Sequence, residues 1–213
     1  MGSAKVRFIP LLICLAGVFA FETAAYWVKA DSLTLTAFVR LLDICLVLGT
    51  VYIFHQGLNA IGLARETVSA GIWHGLFWSA GFGALVLVTA GILYLGGAYP
   101  LSLIQVQMPG NTGRLVLYLI TGGIIGPIAE EMVFRGLVYG FLRQWGILIG
   151  LIGSTAFFVL VHQAATGIPV LQIVGGLVFA MSYEASKSLL TPIVIHILGN
   201  LALSGAGLTS LMY

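Results

Sequence analysis

Seven apolar stretches follow one another along this chain, at about residues 8–28, 38–58, 72–98, 115–142, 147–163, 170–184 and 189–205. Most reach or approach the roughly 20 residues that an α-helix needs to cross a bilayer. The polar breaks between them, such as "KADSLTLT", "NAIGLARETVSAG", "SLIQVQMPGNTGR", "RQWG", "ATGIP" and "EASKS", are too short to house a soluble domain. The pattern predicts an all-α, polytopic membrane protein with a single integral membrane domain over residues 1–213. Lys5 and Arg7 ahead of "FIPLLICLAGVFAF" give the outline of a signal peptide. The apolar character runs on to about Val28, however, so this segment is read as an uncleaved first helix.

The fourth stretch is the awkward one. As one helix, 115–142 would run about 42 Å at 1.5 Å per residue, longer than the roughly 30 Å hydrocarbon core. It contains Gly122, Gly123, Gly126 and Pro127, and a proline removes a backbone donor and bends or breaks a helix. A kink or break is expected there, with Glu130 near the start of the second piece. The count is then seven or eight transmembrane helices around a membrane-embedded polar site.

Composition agrees with this pattern. Apolar residues make up 60% of the chain and charged residues 8%, whereas a soluble domain carries about 25% charged residues. Nine Lys and Arg against seven Asp and Glu is too small an excess to indicate nucleic acid. Cys14 and Cys45 lie far apart with no CxxC pair, which excludes a cysteine zinc site by ligand count. Glycines four apart (Gly71/Gly75, Gly122/Gly126 and Gly146/Gly150) are the spacing that lets helix backbones approach closely in lipid. With a cytoplasmic N-terminus and seven crossings, Lys5, Arg7, Arg65, Arg143 and Lys187 lie inside, and Lys29, Arg40 and Arg114 outside.

Charge matters here through where it falls, because a charge at membrane depth costs at least about 2.5–3.5 kcal/mol. His55 and His74 fit interfacial positions near helix ends. Asp43 and Arg40 are three apart and can pair, Glu22 stands alone in the first helix, and Glu184 and Lys187 flank a loop. The stretch "GPIAEEMVFRG", residues 126–136, is different. Glu131 and Arg135 form an i, i+4 pair in the favourable order, whereas Glu130 lies about 140° around the helix from Arg135. Arg135 is therefore expected to hold Glu131 and leave Glu130 to point elsewhere. His162 closes "FFVLVH" four residues after Phe158, and His196 in "HILGN" shares a helix face with Asn200. Such groups need partners, since unpaired polar groups in lipid are costly, and the expected partners lie on the Glu130 helix. A bland alternative is a buried polar network that only pins helix packing.

Three motifs thus stand in order: "EEMVFR" (Glu130 to Arg135), "FVLVH" (Phe158 to His162) and "HILGN" (His196 to Asn200). Together they resemble the EExxxR, FxxxH and HxxxN/D patterns of the CPBP, or Abi, family of intramembrane proteases, which includes the CAAX prenyl endopeptidases. The resemblance covers roughly residues 115–205, read as the protease core. It implies hydrolysis of a peptide bond of a membrane-anchored protein or peptide. In that reading Glu130 is the general base for a water that His162 helps to hold. His196 and Asn200 stabilise the oxyanion, while Glu131, Arg135 and Phe158 support the site. No cofactor is required; the alternative is a zinc ion on Glu130, His162 and His196, although no helical HExxH is present. The chain is expected in a prokaryotic cytoplasmic membrane. A bacteriocin-immunity or other binding protein on the same scaffold is the competing class. A small transporter is disfavoured by the lack of an internal repeat.

Overall fold

The polar breaks become turns between seven helical segments: α1 (Phe8–Val28), α2 (Leu33–Ile53), α3 (Val68–Leu95), α4 (Thr112–Trp145), α5 (Ile147–Val161), α6 (Val170–Ser186) and α7 (Leu190–Ser210). This computed structural model describes residues 6–28, 32–99, 108–162 and 169–210, without the side chains of 208–210. Lys5 and Lys29, and parts of the breaks around 29–31, 100–107 and 163–168, lie outside the described residues. Five helices are long and apolar enough to cross a membrane, with α5 and α6 shorter apolar helices beside them. No strand occurs among the described residues. The chain is an all-α integral membrane protein.

Local chemistry sets the helix ends. The α2 helix starts at Leu33, earlier than the apolar pattern indicated, because the Ser32 hydroxyl accepts from the Leu35 amide as an N-cap. Asn111 caps α4 by accepting from the Gly113 and Arg114 amides. Gly146, at φ 136°, makes the turn into α5 that a side chain would strain.

Where a kink or break was expected, α4 departs from regular α-helix without interruption. The helix continues through Gly126 and Pro127 by widening into π turns at Thr121–Ile125 and again at Met132–Tyr139. In the first of these the Gly126 amide bonds the Thr121 carbonyl. The next donor in that register would be residue 127, which as proline has none. The Gly122 carbonyl so left open accepts instead from Asn200 Nδ2 on α7, at 2.9 Å. A π turn and a side chain from a neighbouring helix thus replace the break.

Helix α4 is the centre of the bundle. Every residue from Met132 to Tyr139 is buried, against α1, α2, α5 and α6. Gly71 and Gly75 admit Ser188 and Val194, which brings α3 against α7 as the small-residue spacing indicated. Gly150 likewise seats against Tyr139. The other glycine pairs do different work: Gly146 is a turn residue, and no neighbour approaches the position a side chain would take at Gly122.

The helix ends sort the charges. Gln144 Nε2 donates to the Val6 carbonyl, Arg143 grips Glu184 through Nε and Nη2 at 2.6 and 2.7 Å, and the Leu189 amide donates to the Gly62 carbonyl. These contacts put Arg7, Arg65, Arg143 and Lys187 at one end of the bundle, with Arg114 at the other. The positive-inside rule assigns the first end to the cytoplasm. Arg40, assigned above to the outer side, is an intrahelical residue: its Nη1 lies 2.6 Å from Glu22 Oε1 and 3.1 Å from Asp43 Oδ2. Glu22 is therefore not alone. Glu184 also has more company than Lys187, since the Tyr139 hydroxyl donates to it at 2.6 Å.

Candidate active site

Three helices bring the motif residues together at one point. Glu130 lies on α4, in the α-helical turn between the two π segments. His162 is the C-cap of α5, just past its last helical residue, and His196 sits in α7. Each imidazole is oriented by its Nδ1. That of His162 donates to the Phe158 carbonyl at 2.8 Å, and that of His196 faces Glu131 Oε1 at 2.8 Å. Since a carbonyl and a carboxylate only accept, these bonds assign the Nδ1 proton in both rings.

Both Nε2 atoms consequently turn toward Glu130. His162 Nε2 is 3.4 Å, and His196 Nε2 3.8 Å, from the same oxygen, Glu130 Oε2. Those spacings are longer than a direct charge-assisted hydrogen bond. With both Nδ1 protons committed elsewhere, two ring nitrogens and one carboxylate oxygen converge on a small volume. The arrangement is satisfied by a donor between them, such as a water or an added proton. The Glu130 side chain keeps 18% of its surface open, against none for Glu131, so the first carboxylate is the reachable one.

Glu131 and Arg135 pair as their spacing indicated, at 2.9 Å and with neither side chain exposed. The pair has more partners than the sequence showed. Arg135 Nη2 donates to the Gly176 carbonyl at 3.2 Å, and its guanidinium lies over the rings of Phe158 and Phe179 at 4.7 and 5.1 Å. Phe158 therefore has a definite place: it covers the buried cation and packs 4.2 Å from the His162 ring. Phe179 and Gly176, both on α6, are site residues that the sequence did not disclose. Phe179 stacks on His196 at 4.5 Å with a 21° tilt. A phenylalanine in an apolar helix carries no signal that separates it from ordinary core.

Asn200 stands one turn beyond His196, and its Nδ2 donates to the Gly122 carbonyl. One amide proton and the side-chain oxygen remain available. Among the described residues, no group of three or more His, Cys, Asp or Glu closes into a metal-binding cluster. His55 and His74 are exposed.

Comparison with known proteins places this geometry in context. Residues 112–202 match the model of the family described as type II CAAX prenyl endopeptidase Rce1-like. The membrane-embedded CAAX protease MroQ of Staphylococcus aureus is 32% identical over 108 residues, 44% of this chain and 43% of that protein. YdiL of Bacillus subtilis, named as a candidate membrane peptidase, is 34% identical over 86 residues, 39% of this chain and 34% of its own length. An uncharacterised 24.3 kDa protein of Escherichia coli is 26% identical over 123 residues, 54% of this chain and 57% of that protein. The chain spans about half the length, or less, of these curated relatives, at 43%, 34% and 57%. No solved structure matches it. The matched segment 112–202 holds Glu130, His162, His196 and every other residue of the three motifs.

Proposed function

We propose that this protein is an intramembrane endopeptidase that hydrolyses a peptide bond of a membrane-anchored protein or peptide, with a water activated by Glu130. The observation that carries the reading is the convergence of two histidine Nε2 atoms on Glu130 Oε2 within a membrane-spanning bundle. Glu131, its neighbour in sequence, is fully buried and holds Arg135 and His196 through Oε1. Ionisable groups are costly in a bilayer and are found there mainly where they do chemistry.

Amide hydrolysis needs an activated nucleophile and donors aimed at the developing negative charge. A water seated between Glu130 and His162 gives its proton to the Glu130 carboxylate as its oxygen attacks the substrate carbonyl carbon. The tetrahedral oxyanion is met by His196 and by the amide proton of Asn200 that Gly122 does not use. For His196 to donate from Nε2 while Nδ1 donates to Glu131, the ring carries both protons, and Glu131 at 2.8 Å is its counter-charge. The proton held by Glu130 then passes to the leaving amine as the C–N bond breaks. Glu131, Arg135 and Phe158 act through these groups, by fixing α4 and the His196 ring.

The relatives' names point to CAAX-type substrates; C-terminal sorting tails and leader peptides are the other membrane-anchored candidates. In the zinc-dependent version the same Glu130, His162 and His196 would be ligands, and two imidazole nitrogens beside one carboxylate are suitable donors. The test is cleavage of membrane-anchored peptides by wild type, Glu130→Gln and His196→Ala in lipid nanodiscs, with and without a chelator. Loss in both variants and indifference to the chelator are expected. Persistent cleavage in both variants overturns the mechanism. Chelator-sensitive activity restored by zinc establishes the metal version, and absence of any cleavage establishes a binding or immunity role.

A further inference from the structure

A second cavity lies one helical turn beyond the Glu130 carboxylate, and its lining is uncharged. It has a volume of about 170 Å³ and is bounded by Tyr118, Gly122, Asn200, Leu203 and Ser204. That is several times the roughly 30 Å³ a liquid water occupies, which leaves room for an amino-acid side chain. Tyr118, Gly122, Gly126 and Glu130 recur every four residues along α4. An α-helix would turn such a row by about 40° per step; the wider π turn at Thr121–Ile125 turns it back, so the row stays on one face. No neighbour fills the position a side chain would take at Gly122, and at Gly126 that position lies 3.9 Å from Glu130 Oε1. The two glycines therefore leave an open strip from the carboxylate to the cavity.

Glycines alone would indicate only close packing, and here nothing packs on Gly122. The independent observation is Ser204. It is 5% exposed, lines the cavity, and its hydroxyl has no hydrogen-bond partner among the described residues. A hydroxyl in a membrane-spanning helix ordinarily bonds the carbonyl one turn back. Thr23, Ser79 and Thr89 in this chain do so, whereas Thr121, Ser154 and Thr155 are buried without a partner and line no such cavity. Ser204 forgoes that bond and lines a cavity whose other polar side chains belong to Tyr118 and Asn200. Leaving such a group unmatched in the bilayer is unfavourable, and a ligand with a donor or acceptor satisfies it.

From these observations, and resting on the peptidase reading above, we propose that the cavity is a substrate subsite for a small, uncharged, hydrogen-bonding side chain such as serine, threonine or asparagine. A charged side chain is excluded because no counter-charge lines the site. The spacing also fixes the register. The Glu130 carboxylate reaches back to the level of Gly126, and the cavity begins at Gly122, four residues or about 6 Å further along α4, while same-face side chains of an extended peptide recur about every 6.6 Å. The subsite thus receives the substrate side chain two residues from the cleaved bond. Asn200 links the two places, since it lines the cavity and also reaches the reaction centre's helix through Gly122.

The experiment profiles a lipid-anchored peptide library, randomised on both sides of the cleaved bond, with nanodisc-embedded wild type, Ser204→Ala, Ser204→Leu, Tyr118→Phe and Glu130→Gln. Wild type is expected to favour serine, threonine or asparagine two residues from the cleaved bond. Ser204→Ala should lose about fivefold of that preference, the size of one neutral hydrogen bond. Ser204→Leu should shift the preference to glycine and alanine by tenfold or more. Should the leucine variant fail to fold, the alanine and Tyr118→Phe profiles decide. Active enzymes with identical profiles overturn the subsite and leave the peptidase reading intact. A library left uncut by wild type, or cut equally by Glu130→Gln, overturns the peptidase reading and the subsite with it.

Discussion

His196 and Arg135 meet at one atom: the Nδ1 of the first and the Nη1 of the second lie 2.8 and 2.9 Å from Glu131 Oε1. A buried cation, a buried carboxylate and the ring facing Glu130 are thereby a single unit. Glu131→Ala removes the carboxylate bonded to Arg135 and leaves a fully buried guanidinium without its ion-pair partner. Removing one partner of a buried pair costs about 3–5 kcal/mol. The expected result is a large drop in thermal or denaturant midpoint in detergent, together with loss of activity.

Glu130→Gln should behave oppositely. The side chain is partly open and no cation depends on it at direct bonding distance. Amide replaces carboxylate at nearly constant shape, so the unfolding midpoint should match wild type closely. Turnover should fall by about 10²–10⁴, the usual contribution of a general base. Midpoint and turnover measured on the same preparation separate the two glutamates, which adjacency in sequence alone does not.

The division between those glutamates was legible because helical geometry is periodic: an i, i+4 pair and a residue about 140° away cannot serve the same partner. The helices were legible for a similar reason, since lipid demands long apolar runs. What stayed hidden depended on contacts between helices that carry no sequence signal. Phe179 reads as core until it is found on His196 and Arg135. Glu22 and Arg40 come level only because α1 and α2 form an antiparallel hairpin. The irregularity expected around Pro127 took the form of a π turn that keeps the helix continuous, and a π turn has no composition of its own.

The Glu22–Arg40–Asp43 cluster gives a third expectation. Asp43 is 1% exposed, and Arg40 is the cation beside both carboxylates. Arg40→Leu should destabilise the α1–α2 hairpin by several kcal/mol, because two carboxylates would then sit unpaired in the bilayer. The double variant Arg40→Leu with Asp43→Asn should recover a substantial part of that loss. Unfolding midpoints of the two proteins give the comparison.

The bond from Asn200 to the Gly122 carbonyl can be tested through its cause. In wild type, Asn200→Ala leaves that carbonyl without a donor in a medium that offers none, a loss of about 1–3 kcal/mol. The donor is needed because residue 127 is proline. Pro127→Ala restores a backbone N–H at the position that serves Gly122 in the π register, so the same Asn200→Ala change should then cost far less. The four proteins of this cycle, wild type, each single variant and the double, should show a coupling of about 1–2 kcal/mol in unfolding free energy. Additive losses would mean that Asn200 does not substitute for the amide that Pro127 lacks, and that the continuity of α4 has another origin.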